Sequence, residues 1–65
     1  MKDIQDHPAY SKLAKRRDDL KFILLKYGES LGLALKVVKA EYKQSESDCV
    51  ALTTLLALEG WEEQS

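Results

Sequence analysis

Apolar residues recur at helical spacing through most of the chain and are densest between Leu20 and Val38. One stripe alternates steps of three and four residues, with Arg17 as its one charged interruption: Leu13, Leu20, Leu24, Tyr27, Leu31, Ala34 and Val38. A second set falls on another side of the same cylinder, with Ile23 and Leu35 widening both stripes: Phe22, Leu25, Leu33, Val37 and Ala40. This spacing is typical of an amphipathic helix. Two apolar stripes on one helix mean that two faces need to be covered.

The pattern predicts an all-α helical hairpin with a long helix over 8–43, a turn at 44–47 and a shorter helix ending near residue 60. Asp6 or His7 can cap the first helix, and Pro8 suits its first turn. The polar run 43–48 interrupts the apolar pattern, and the Ser45–Asp48 spacing resembles a capping box. Gly60 is expected to end the last helix in a left-handed conformation. Within this single domain, 1–65, we expect residues 1–6 and 62–65 to fray.

Gly28 and Gly32 leave a second arrangement open. A break at Gly28 would give a three-helix bundle with helices over 8–27, 29–43 and 46–60. We favour the continuous helix, because the apolar spacing runs in phase from Leu24 through Tyr27 to Leu31 without a proline or a polar cluster. Each glycine inside such a helix costs about 1 kcal/mol relative to alanine.

A chain of 65 residues buries only about 60% of its unfolded surface, and its core alone supplies about 3–5 kcal/mol. Cys49 is the only cysteine and His7 the only histidine, so neither a disulfide within one chain nor a His/Cys zinc site is available. We therefore expect a homo-oligomer, with a dimeric four-helix bundle favoured, or a protein partner. The predicted association interface is Leu20, Phe22, Leu24, Leu25, Tyr27, Leu31, Leu33, Leu35, Val37, Val38, Leu52, Leu55, Leu56 and Trp61.

The net charge of −1 conceals an asymmetry, because residues 12–43 carry nine basic and four acidic side chains and residues 44–65 carry five acidic ones and no base. A face for an anionic partner is predicted at Lys12, Lys15, Arg16, Arg17, Lys21, Lys36, Lys39 and Lys43. Nucleic acid is the less favoured partner, because the pI is about 5.7 and nucleic-acid-binding domains are typically far more basic.

No catalytic, cofactor-binding or metal-binding motif occurs in the sequence. We interpret His7 as a helix cap, Cys49 as a small buried apolar residue, and Asp18 and Asp19 as solvated partners of nearby bases. The chain is therefore predicted not to be an enzyme and to need no cofactor. The lone thiol and the absence of a leader or spanning segment favour the cytoplasm, without a membrane partner. The predicted function is a non-catalytic interaction protein, such as an adaptor, inhibitor or small regulator; the alternative is a nucleic-acid-binding regulator.

Overall fold

Helix α1 spans Pro8–Tyr27 and begins where the sequence predicts. The computed structural model describes residues 2–63. His7 is the N-cap, and its Nδ1 accepts a hydrogen bond of 3.1 Å from the backbone N–H of Ala9. Pro8 occupies the first turn, where its missing N–H leaves no helical bond unmade.

The chain reverses direction between α1 and helix α2, which spans Ala34–Leu58. A 3-10 turn over Gly28–Ser30 leads to Gly32, whose φ of +56° is left-handed. The favoured continuous helix over 8–43 is therefore wrong, and the break at Gly28 in the alternative is correct. The in-phase spacing misleads because each helix turns its apolar stripe toward the other, so the spacing alone does not reveal the reversal.

Helix α2 runs without interruption through the polar run 43–48. The predicted turn at 44–47 is wrong, and so is the second break of the three-helix alternative. Ser45 is buried, and its hydroxyl donates a 2.6 Å hydrogen bond to the Tyr42 carbonyl one turn back. Gln44 donates through Nε2 to Asp48 Oδ1 at 2.9 Å. The polar side chains of this run thus form hydrogen bonds within the helix and do not break it.

The C-terminal end of α2 has the predicted Schellman geometry. Gly60 has a φ of +98°. The N–H of Trp61 donates to the Leu56 carbonyl at 3.0 Å, and the N–H of Gly60 donates to the Ala57 carbonyl at 3.1 Å. Both bonds satisfy carbonyls that the end of the helix would otherwise leave unpaired.

The two ends of the described chain are joined by backbone hydrogen bonds. The N–H of Ile4 donates to the Glu62 carbonyl at 2.9 Å, and the N–H of Glu62 donates to the Lys2 carbonyl at 2.8 Å. Ile4 is only 1% exposed, and the Trp61 ring meets the His7 ring edge-on at 4.8 Å between centroids. Residues 2–4 and Glu62 thus form a clamp between the two ends. Met1 and residues 64–65 lie outside the described residues.

The helical hairpin predicted from the sequence is confirmed as two helices packed together, with different bounds. The molecule is a rod of 44 × 18 × 16 Å. Its core is a narrow line between the helices and the clamp. The buried residues on that line are Ile4, Leu20, Ser45, Cys49 and Leu56.

Substituting the two loop glycines separately tests the position of the reversal. Gly32→Ala should lower the free energy of unfolding by about 1–2 kcal/mol, because the Cβ of alanine is sterically unfavourable in the left-handed conformation at φ +56°. Gly28→Ala is the matched control. Gly28 is right-handed and a Cβ there meets no atom within 4 Å, so alanine should raise that free energy by about 0.4–1 kcal/mol. Urea unfolding measures the change in the free energy of unfolding for each variant. Stabilisation by both substitutions would contradict a reversal at Gly32 and support a continuous helix.

Candidate protein-association surface

The predicted association interface divides into two groups in the structure. The residues of the first group are buried or half-buried inside the hairpin or its clamp: Leu20, Leu24, Leu31, Leu35, Val38, Leu52, Leu56 and Trp61. These side chains are used by the fold of a single chain. They stabilise the hairpin and leave little area for a partner.

The second group faces solvent although it is just as apolar. Its members are Phe22, Leu25, Tyr27, Leu33, Val37 and Leu55. Leu33 is 96% exposed and Leu25 is 79% exposed, which is unusual for leucines of a folded domain. These residues are the part of the predicted interface that is available to another molecule.

One line of residues, all exposed except the half-buried Asp48, runs along α2 from its N-cap Leu33, and we refer to it as the α2 stripe. It consists of Leu33, Val37, Ala40, Gln44, Asp48, Ala51, Leu55 and Leu58. Successive members are three or four residues apart, so they stay on one side of the helix. The apolar members lie at the two ends of the stripe, and the hydrogen-bonded pair Gln44 and Asp48 occupies its middle.

A smaller aromatic cluster lies beside the chain reversal. The rings of Phe22 and Tyr27 meet edge-on with centroids 6.4 Å apart. Lys26 Nζ lies 5.4 Å from the centre of the Phe22 ring, within cation–π range. Both rings are about half exposed. This end of the rod therefore presents aromatic surface next to the first residues of the α2 stripe.

Two large exposed apolar residues among residues 2–63 were absent from the predicted interface. Val50 is 67% exposed and Leu58 is 81% exposed. The sequence-based helix bounds placed them in a short, separate last helix. If one helix is assumed to run from residue 34 to 58, Leu58 lies on the same side as Leu33, because the two residues are seven turns apart. No comparable signal in the spacing identifies Val50.

The two arginines of the predicted anionic-partner face are each paired with a carboxylate. Arg16 Nη2 lies 3.4 Å from Glu41 Oε2 across the two helices, and Arg17 Nε donates to Asp18 Oδ1 at 3.1 Å. The hydrogen bond with Asp18 raises the pKa of the Arg17 guanidinium above its usual value. The remaining members of the face are exposed lysines: Lys12, Lys15, Lys21, Lys36, Lys39 and Lys43.

His7 and Cys49, the two side chains that could take part in catalysis, have structural positions in the fold. His7 caps α1 and touches Trp61. Cys49 is buried, 4% exposed, as predicted, on the floor of a shallow groove that Tyr10 and Arg17 also line. Among residues 2–63, no three His, Cys, Asp or Glu side chains are grouped to hold a metal ion. Over the same residues, neither helix combines the length and apolar character needed to cross a membrane.

Comparison with known proteins adds no family assignment. No protein-family model matches the chain, and neither curated proteins nor solved structures give a significant match. The surfaces described above are therefore the guide to function.

A pair of leucine truncations tests the division between the hairpin core and the outer surface. Leu20→Ala should lower the free energy of unfolding by about 2–5 kcal/mol, because Leu20 is only 9% exposed. Leu25→Ala should change it by no more than about 0.5 kcal/mol, because the Leu25 side chain is 79% exposed. Chemical unfolding at one low protein concentration compares the two. Equal losses would mean that the two leucines are not divided between core and surface.

Proposed function

We propose that this chain is a non-catalytic protein–protein interaction module that acts as an adaptor, inhibitor or small regulator. It associates with a second copy of itself through apolar surface that the hairpin cannot cover, and a dimer is favoured. The observation that carries this proposal is the set of large apolar residues in solvent. Its members are Phe22, Leu25, Tyr27, Leu33, Val37, Val50, Leu55 and Leu58. Large apolar side chains in solvent often mark surfaces that bind another protein.

The area exposed by the hairpin supports the same proposal. Its accessible surface is 5146 Å², whereas a compact monomer of 7.4 kDa exposes about 4200 Å². The excess of about 900 Å² is close to the roughly 800 Å² that each partner contributes to a standard stable interface. Covering one face of the rod with another protein would therefore bring the exposed area to the usual range.

The shape of the hairpin leads to the same conclusion. Its radius of gyration is 13.9 Å, whereas a compact domain of this length has about 10.7 Å. Two helices touch along one line and cannot enclose a core between layers. A second hairpin stacked on the first would supply the missing layer and give a four-helix bundle.

The association state tests this proposal directly. Light scattering should give a mass of twice the 7.4 kDa chain at micromolar concentration. The thermal midpoint should rise by several degrees over a hundredfold increase in concentration, because association favours the folded state by mass action. A monomeric mass with a concentration-independent midpoint would contradict self-association.

Nucleic-acid binding is the second candidate function, and one observation favours it. Lys36, Lys39 and Lys43 are all exposed on α2 at i, i+3 and i+7, which aligns three positive charges on one side of the helix. The pairing of Arg16 and Arg17 with carboxylates weighs against it, because these arginines are the residues best suited to bidentate phosphate contacts. Self-association is therefore the better supported function.

A charge reversal separates the two candidates. If the lysines bind phosphates, the triple variant Lys36→Glu, Lys39→Glu, Lys43→Glu should lose binding to a mixed-sequence DNA duplex, and binding by the unmodified chain should weaken at least tenfold between 50 and 200 mM salt. Fluorescence anisotropy measures both effects, with circular dichroism as the folding control. We expect no salt-sensitive DNA binding at micromolar protein and an unchanged oligomer mass for the triple variant.

A further inference from the structure

We infer that two copies of the chain pair antiparallel along the α2 stripe, about a two-fold axis that passes close to residue 46. This inference depends on the proposed self-association and specifies its geometry. It rests on the self-complementary order of residues along the stripe and on the length of the stripe.

The stripe is almost symmetric about its own centre. Leu33 and Leu58 are centred on position 45.5, and Val37 and Leu55 on position 46. Val37 and Leu55 are 18 residues apart, which is five full helical turns, so both point in one direction from a straight helix. All four side chains are well exposed: 96% for Leu33, 60% for Val37, 58% for Leu55 and 81% for Leu58.

An antiparallel pair of such helices places apolar residues of one copy opposite apolar residues of the other. Leu33 of one copy lies opposite the partner's Leu58, and Val37 lies opposite the partner's Leu55. Ala40 and Ala51, centred on position 45.5, also face each other across the axis. Their small side chains let the two helices approach closely on either side of the polar centre. The interface is isologous, so each contact occurs twice.

The polar centre of the stripe distinguishes antiparallel from parallel pairing. Gln44 and Asp48 are centred on position 46, so an antiparallel pair sets each Gln44 amide opposite the partner's Asp48. One N–H of each amide donates to Asp48 of its own chain at 2.9 Å, and the other N–H is free to donate across the axis. Parallel pairing would instead bring the two Asp48 carboxylates together, and adjacent like charges are unfavourable.

The stripe is long enough to form the seam of a dimer. The distance from Leu33 to Leu58 along the helix is about 37 Å at 1.5 Å per residue, and the rod is 44 Å long. A contact along the stripe would therefore extend over most of the rod.

Disulfide trapping between two differently tagged chains tests this pairing. Both chains carry Cys49→Ala to remove the native thiol; one carries Ala40→Cys and the other Ala51→Cys. Under mild oxidation of the mixture, the 40–51 cross-link should exceed the 40–40 and 51–51 cross-links at least tenfold. Antiparallel pairing keeps position 40 about 17 Å along the axis from its own copy, well beyond disulfide reach.

The possible outcomes are distinguishable when light scattering is done on the same samples. A dimer that forms mainly 40–40 and 51–51 cross-links would overturn antiparallel pairing in favour of a parallel dimer. A dimer without any of the three cross-links would place the interface on another face. A monomer would overturn the proposed function together with this inference.

Charge substitutions provide a second test that does not need oxidation. Val37→Glu and Leu55→Glu should each weaken the dimer at least tenfold, because each buries an unpaired carboxylate against an apolar side chain of the partner. Val50→Glu is the matched control: Val50 is 67% exposed on α2 but lies off the stripe, so the dimer should keep its affinity.

Combining Val37→Glu with Leu55→Lys in one chain should recover most of the lost affinity. Antiparallel pairing brings each introduced carboxylate opposite the partner's introduced ammonium group. Sedimentation equilibrium measures the dissociation constants, and circular dichroism confirms that each variant is folded. No recovery in the double variant, or equal weakening by Val50→Glu, would overturn the pairing.

Discussion

The contact between α1 and α2 along one narrow line is the interaction on which the rest of this structure depends. Leu20 on α1 and Cys49 and Leu56 on α2 are buried there, and Ile4 closes its open end. Two helices that touch along a single line each keep most of their circumference in solvent. The chain nevertheless contains enough apolar residues for more than one such line. The exposed leucines and valines of α2 are the direct result of this mismatch between composition and architecture.

Several parts of the fold could be predicted from local chemistry. The cap at His7, the proline in the first turn and the left-handed Gly60 are each determined by a few neighbouring residues. The chain reversal could not be located in the same way. Apolar spacing indicates which side of a helix is buried. It does not locate the reversal at Gly32, because the apolar side faces the other helix both before and after that residue. The polar run around Ser45 resembled a turn because its hydrogen bonds within α2 are invisible in the residue pattern.

Misplacing the chain reversal changes the predicted surface more than the predicted fold class. With a turn placed at 44–47, Val37 and Leu55 belong to different helices and have no fixed geometric relation. With the reversal at residues 28–33, they lie five turns apart on one side of one helix. The association residues Leu33, Val37 and Leu55 were included in the prediction from their apolar character. Their arrangement along one helix required the three-dimensional structure.

The clamp between Lys2, Ile4 and Glu62 brings the beginning and the end of the described chain to the same pole of the rod. The loop at Gly28–Leu33 occupies the opposite pole. In such a topology the order of the two helices in the sequence is not needed for their packing. A short linker across the clamp, with new ends opened in the loop, would give a circularly permuted chain with the same two-helix contact. That rearrangement would also relieve Gly32 of its left-handed conformation, because the permuted chain no longer has to turn there.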